Sequence, residues 1–323
     1  RTERAIAGFR AYCRKHVPNS QHRLLLDFAC FSILETVSYT RKDGQYLRWD
    51  YRSGRERVRG TFDKGKIGDF DPTLRSKLES IHSDMLSRRA PGMDTLFPTK
   101  EEHSRLGTIE LREGSCLEIL PMFPTGSVSL VFTSPPYCNR YDYTRTYALE
   151  LVYLGLDDQK VKDLRQTMLS CTVENREKVL QLQGIYGRMN REREFSRIQH
   201  VFREQAALQE VLSILDEIGT IGKLNNSNIP RMVRNYFLEM AVVIHELARV
   251  LKPGGRVVMV NDNVRYAGEE VPVDLILSDF AVQFGLSVRH IWTLPSGKGN
   301  SSQQMGMHGR NELRKCVYVW EKP

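Results

Sequence analysis

Residues 134–137, Ser-Pro-Pro-Tyr, carry the densest chemistry in this 323-residue sequence. They follow an apolar run, Val128 to Phe132, that stops at Thr133. Pro135 and Pro136 set two successive φ angles and offer no N–H, so the corner presents acceptors in set directions. Ser134 adds a hydroxyl oxygen, and Tyr137 adds a flat face for stacking. Acceptors beside a π-face suit a planar ligand with an exocyclic amino group, of which a flipped nucleobase is an example. Hydrogen bonds from that amino group to the Ser134 side chain and the Pro135 carbonyl would draw its lone pair out of conjugation. The nitrogen could then attack an activated methyl group. Such a site works by positioning and preorganised polarity, and requires neither a nucleophilic side chain nor a metal. A rigid structural turn would use the same four residues, so their surroundings decide.

Those surroundings read as α/β from Gly107 onward. "GTIELREGSCLEILPMF" predicts a strand, a turn at Gly114-Ser115 and about two helical turns, and "SVSLVFT" predicts a second, buried strand. Residues 142–155 and most of 157–218 read as helical, with Phe195, Ile198, Val201, Phe202, Leu208, Val211, Leu212 and Leu215 on one stripe. "IPRMVRNYFLEMAVVIHELARVLKPGG" predicts a helix ended by Pro-Gly-Gly that runs into the strand "RVVMVND". A helix over 271–284 and strands over 286–293 and "KCVYVWEK" complete a five-strand, mainly parallel sheet whose last two strands pair antiparallel. In such sheets ligands bind beyond the carboxyl ends of the strands, where Ser134 lies. The expected domains are a helical and basic-loop region, 1–104, and an α/β domain, 105–323, with a helical insert at 157–228.

Composition bounds the function. Hydrophobic residues make up 41% and charged residues 27%, as in a soluble globular chain. No apolar run is long enough to span a bilayer. The formal charge of +8 makes a polyanionic partner plausible. Six cysteines without a CxxC pair argue against a zinc site or disulfide framework and fit a reducing cytoplasm. Residue 1 is Arg rather than Met, from which further residues upstream are expected.

"TSPPY" at 133–137, "GSCLEILPMFPTGSVSLVF" before it and "LARVLKPGGRVVMV" at 247–260 resemble the amino-methylating DNA methyltransferases. The resemblance spans about residues 105–323. It implies a Rossmann-like S-adenosylmethionine-dependent sheet and methylation of cytosine N4 or adenine N6 in double-stranded DNA, in a restriction-modification setting. It assigns Ser134, Pro135, Pro136 and Tyr137 to catalysis, Ser134 and Pro135 binding the amino group and Tyr137 stacking on the base. Thr133, Ser134, Gly114 and Ser115 are its cofactor candidates, although Ser115 would equally serve as a helix cap. Serine at the first motif position leans toward cytosine N4. The family's glycine-rich cofactor loop, Phe-x-Gly-x-Gly, is absent here, as are two of its seven strands. It is expected upstream, downstream or on a partner chain, in a homodimer or a larger assembly. An inactive DNA-binding relative or subunit, and methylation of RNA or a protein amide, are the competing readings.

DNA contact is expected from the basic, aromatic segment Arg41–Arg59, through Arg41, Lys42, Tyr46, Arg48, Trp49 and Arg52. Arg140 and Tyr141 border the corner, and Asp142 would orient an arginine or approach the cofactor. In the polar loop 295–312, Lys298, His308 and Arg310 are further candidates. Asn261-Asp262-Asn263 faces the same cleft as a secondary element, and His245 reads as a packed residue.

Overall fold

The computed structural model describes residues 2–43, 46–55, 62–87, 107–295 and 313–323. In chain order the elements are α1 (Thr2–His16), α2 (Ser20–Ser32), α3 (Leu34–Val37), β1 (Thr40–Asp43), β2 (Tyr46–Trp49), α4 (Phe70–Ser87), α5 (Cys116–Ile119), β3 (Val128–Thr133), α6 (Tyr143–Thr146) and α7 (Ala148–Tyr153). Then come α8 (Asp158–Thr167), α9 (Val179–Arg188), α10 (Glu192–Glu204), α11 (Ala206–Thr220), α12 (Ile229–Val250), β4 (Leu251–Asp262), β5 (Val264–Tyr266), β6 (Glu269–Val271), α13 (Val273–Gln283), β7 (Ser287–Thr293) and β8 (Lys315–Glu321). They form two compact units, Arg1–Leu111 with Tyr143–Val161, and Arg112–Asp142 with Lys162–Pro323. Residues 143–161, expected within the C-terminal domain, thus pack with the N-terminal helices. The Tyr153 hydroxyl donates to Asp27 Oδ1 at 2.7 Å, and Arg10 donates to the Tyr153 carbonyl at 2.8 Å. The core of this unit is Ala29, Cys30, Ile33, Leu34, Val37, Phe70, Leu74 and Tyr153.

The C-terminal unit holds a mixed sheet of order β3-β4-β8-β7. β3 is parallel to β4, whereas β8 is antiparallel to both β4 and β7, as expected for the last strand. Val257, Met259 and Asn261 of β4 stand level with Trp320, Tyr318 and Cys316 of β8 and are all buried, so they share one face. Helices α9 to α13 supply the same hydrophobic core, including seven of the eight predicted stripe residues as buried and Val201 as partly buried.

Two expectations about strands fail. Residues 107–113 form no strand, and Ile109 and Leu111 are 89% and 91% exposed. An alternating segment gains little unless a neighbour pairs with it, and no strand among the described residues does so. Among the described residues the sheet therefore has four strands, not five. Nor is β3 buried. It is an edge strand among the described residues, and Leu130 and Phe132 are 61% and 77% exposed. A short hairpin, β5–β6, was not anticipated; its three-residue strands are too brief to leave a periodic signal.

The Pro-Gly-Gly segment also behaves differently. Helix α12 ends at Val250, and Lys252–Gly255 form an irregular start to β4 where the β3 register shifts. Gly254 has φ +75°, and a Cβ on Gly255 would lie 2.8 Å from the Lys252 carbonyl and 3.1 Å from that of Ser129. Glycine at 255 thus lets β3 and β4 approach. Lys322, just past β8, donates to the Ala248 and Leu251 carbonyls at the end of α12, at 2.7 and 2.9 Å.

Glu246 on α12 anchors the buried polar layer. It accepts from Tyr186 at 2.6 Å, Arg191 at 2.6 Å and Arg249 at 2.7 Å. Burial alone would raise this carboxyl, but His245 and these three donors outweigh it and hold the pKa at about 2. A depressed acid stabilises the fold above its unfolded value and loses that contribution as pH falls toward the folded value. We expect Glu246→Gln to cost about 3 kcal/mol in urea unfolding at pH 7, with the deficit shrinking as pH falls from about 4.5 to about 2. Equal stability of both proteins at pH 7 would contradict this role.

Candidate active site

The corner follows from the parallel pairing of β3 and β4. Thr133, the last residue of β3, stands level with Met259, so residues 134–137 emerge past the end of their strand while β4 continues to Asp262. Ser134 is exposed, Pro135 buried, and Pro136 and Tyr137 half-buried. The Ser134 hydroxyl and Tyr137 hydroxyl lie 3.2 Å apart. The serine and phenol hydroxyls are therefore gathered at one corner, with Pro135 buried between them in the chain. Cys138 beneath them is buried, and its carbonyl accepts from the Tyr266 hydroxyl at 2.5 Å. Tyr266 comes from the unanticipated hairpin, so this clamp was illegible in the local sequence.

Asn261, Asp262 and Asn263 divide into scaffold and site. Asn261 donates to Tyr236 on α12 at 2.8 Å, and Asn263 accepts from the Asp274 amide at the start of α13 at 3.0 Å. Asp262 alternates to the other side of β4. Its Oδ1 is buried without a hydrogen bond and lies 3.8 Å from Lys315 Nζ. Burial raises the Asp262 carboxyl, against the opposing pull of Lys315. Lys315 Nζ also stands 5.8 Å from the centroid of the Tyr137 ring. Lys315 was missed because its place depends on the β4–β8 register, which pairs it with Asp262.

Other predicted residues fall around this frame. Arg140 has a left-handed φ of 66°, uncommon for a residue with a side chain, and donates to Asn225 Oδ1 at 3.0 Å. The Tyr141 carbonyl accepts from the Cys171 thiol at 3.2 Å, and Asp142 pairs with Arg165 at 3.0 Å. Burial drives the Cys138 thiol far above its ordinary value and, together with Asp142, pushes Cys171 up to about 12. Neither is a thiolate nucleophile near neutral pH. Gly114 has φ +147°, and Ser115 stands at the N-cap of α5 without a capping hydrogen bond from its side chain. His245 is buried with its ring edge-on to Phe284. It groups with Glu194 and Glu246 as a set of metal-type donors, yet Arg191 and Arg249 engage both carboxylates.

The N-terminal unit carries the basic hairpin β1–β2. Arg41 and Arg48 are cross-strand partners, both exposed; Arg48 also reaches Asp43 at 3.1 Å. Lys42 instead turns to Glu150 at 2.5 Å and stacks over Tyr147. Arg52 grips buried Asp50 at 2.7 Å, and Arg55 covers the Trp49 ring. Tyr46 starts β2. Lys298, His308 and Arg310 lie outside the described residues. Among the described residues no helix is long and apolar enough to cross a membrane.

If Tyr266 clamps the corner, Tyr266→Phe leaves the buried Cys138 carbonyl unpaired, at a cost of about 1–3 kcal/mol. Amide exchange at residues 137–140 should quicken in that variant. Exchange matching the unaltered protein would remove the clamp from the account.

No family model matches the chain. It is 50% identical over 322 residues to the Type II methyltransferase M.AvaI of Nostoc sp., covering all of this chain and 63% of that protein. It is 41% identical over 335 residues to the Type II methyltransferase M.BsoBI of Geobacillus stearothermophilus, covering 64% of it. A solved DNA modification methylase of Thermus thermophilus aligns with 65% of this chain and 51% of its own at 15% identity and a TM-score of 0.28. The chain spans a little under two thirds of the length of the two curated relatives, and its similarity to these Type II methyltransferases runs along all of its own length.

Proposed function

We propose that this chain is the target-base portion of a DNA amino-methyltransferase that flips its base and modifies the exocyclic amine, with cytosine N4 favoured over adenine N6. The observation that carries this is the gathered corner: Ser134 and Tyr137 hydroxyls 3.2 Å apart at the carboxyl end of β3, above a clamped Cys138. Similarity to Type II methyltransferases along the whole of this chain supports it. In this reading the Ser134 oxygen and the Pro135 carbonyl accept the two amine hydrogens, and Tyr137 stacks on the ring. The amine nitrogen would gain the methyl group as the donor's sulfur–methyl bond breaks to leave a neutral thioether, and would release one proton to solvent.

S-adenosylmethionine, when bound, would supply the electrophilic methyl group. Thr133, Ser134, Gly114 and Ser115 offer hydroxyls and one turn toward it, but this sequence contains no Phe-x-Gly-x-Gly cradle. These four residues offer the donor little hold, and most of that hold is assigned to polypeptide outside them. The same gap favours a second reading, a DNA-binding portion without activity of its own. DNA contact in either case is assigned to the exposed Arg41 and Arg48 more than to Lys42 and Arg52, whose charges are engaged by Glu150 and Asp50. A cytoplasmic setting accords with the reduced cysteines.

Ser134→Ala and Tyr137→Ala in the full-length protein should each lower methyl transfer at least about a hundredfold with unchanged thermal midpoints. Turnover like the parent's in both would sink the proposal. Arg41→Glu with Arg48→Glu should weaken duplex binding and reduce the salt slope by about two. An unchanged slope would place DNA elsewhere.

A further inference from the structure

Resting on the base-binding reading above, the pair Asp262–Lys315 calls for a role of its own. Asn261 and Asn263 are committed to α12 and α13, whereas Asp262 is turned to the opposite side of β4. Its buried Oδ1 accepts no hydrogen bond, and its nearest described cation is its cross-strand partner Lys315, 3.8 Å away. The Lys315 side chain is half exposed, and its ammonium stands over the Tyr137 ring at 5.8 Å from the centroid, the outer limit of a cation–π contact, which places its N–H groups beside any ring stacked there.

The chemistry of that ammonium narrows what it reads. Lysine offers three donors and no acceptor. The adjacent carboxylate offsets its charge, which weakens its pull on a distant phosphate but leaves its N–H groups intact. It is suited to a neutral acceptor at the edge of the stacked base. The Watson–Crick edge of cytosine presents the amino group, then two acceptors, N3 and O2. That of adenine presents the amino group, one acceptor, N1, and then a C–H. We propose that Lys315, oriented by Asp262, donates to the acceptors beside the captured amino group and so helps this site select cytosine.

The role is one of positioning. No proton is transferred, and donation to N3 or O2 draws density from the amine, so it does not speed the chemical step. Its loss must appear in capture of the base and in discrimination, not chiefly in turnover at saturation.

The test uses the full-length protein, with its target position first mapped on genomic DNA, and duplexes bearing cytosine or adenine at that position. For Lys315→Met, KM for the cytosine duplex should rise about tenfold, as expected for one charged hydrogen bond. The change in kcat should stay within about threefold, and the cytosine-over-adenine ratio of kcat/KM should fall about tenfold. Lys315→Arg should recover most of both effects. Unaltered KM and discrimination in Lys315→Met would overturn the inference. So would an equal KM rise for both duplexes with a shallower salt dependence, which marks a phosphate contact. Loss of kcat together with a lowered thermal midpoint would overturn it in favour of a structural role. Methyl transfer by the unaltered protein to neither base would instead overturn the functional reading on which the inference stands.

Discussion

The parallel pairing of β3 with β4 is the constraint on which the site depends. It holds Thr133 level with Met259, so that Ser134 to Tyr137 project where β4 is still a strand. The close approach at Gly255 sets the beginning of that pairing, and the hydrogen bond from Tyr266 to Cys138 sets its far end. Two prolines supply the local stiffness, yet stiffness alone would leave the corner free to swing. The strand below and the hairpin beside it turn a rigid tetrapeptide into an oriented one.

The antiparallel pairing of β4 with β8 adds a second constraint. By placing Lys315 opposite Asp262, it brings a cation from near the end of the chain to the ring of Tyr137, 178 positions earlier. Scaffold and function alternate along β4 because side chains alternate across a strand. Asn261 and Asn263 fasten helices, and Asp262 between them is turned toward Lys315. The buried knot around Glu246 holds α9, α10 and α12 together behind this arrangement.

Much of this was legible from residue order. The corner, the helix 229–250, the strand pair that closes the chain and the basic hairpin all follow from periodicity, proline and glycine. What escaped was whatever depends on partners distant in sequence. Residues 107–113 alternate like a strand, but strand formation requires a neighbour, and none among the described residues pairs with them. The apolar run 128–132 reads as buried because composition cannot tell an edge strand from a central one, and Phe132 is in fact open. Lys42 and Arg52 read as surface charges, while their ion pairs with Glu150 and Asp50 required the fold. Lys315 looked like an ordinary strand-end lysine until the register was known.

The central claim is that this corner presents an exocyclic amine for methylation. Its most direct measurement is the chemical position of the methyl group. DNA incubated with the full-length protein and S-adenosylmethionine carrying a labelled methyl group can be digested to nucleosides and separated. The account predicts label in N4-methylcytosine, with N6-methyladenine the lesser outcome of the same corner. Label on carbon 5 of cytosine, or on no base of any duplex, would contradict it.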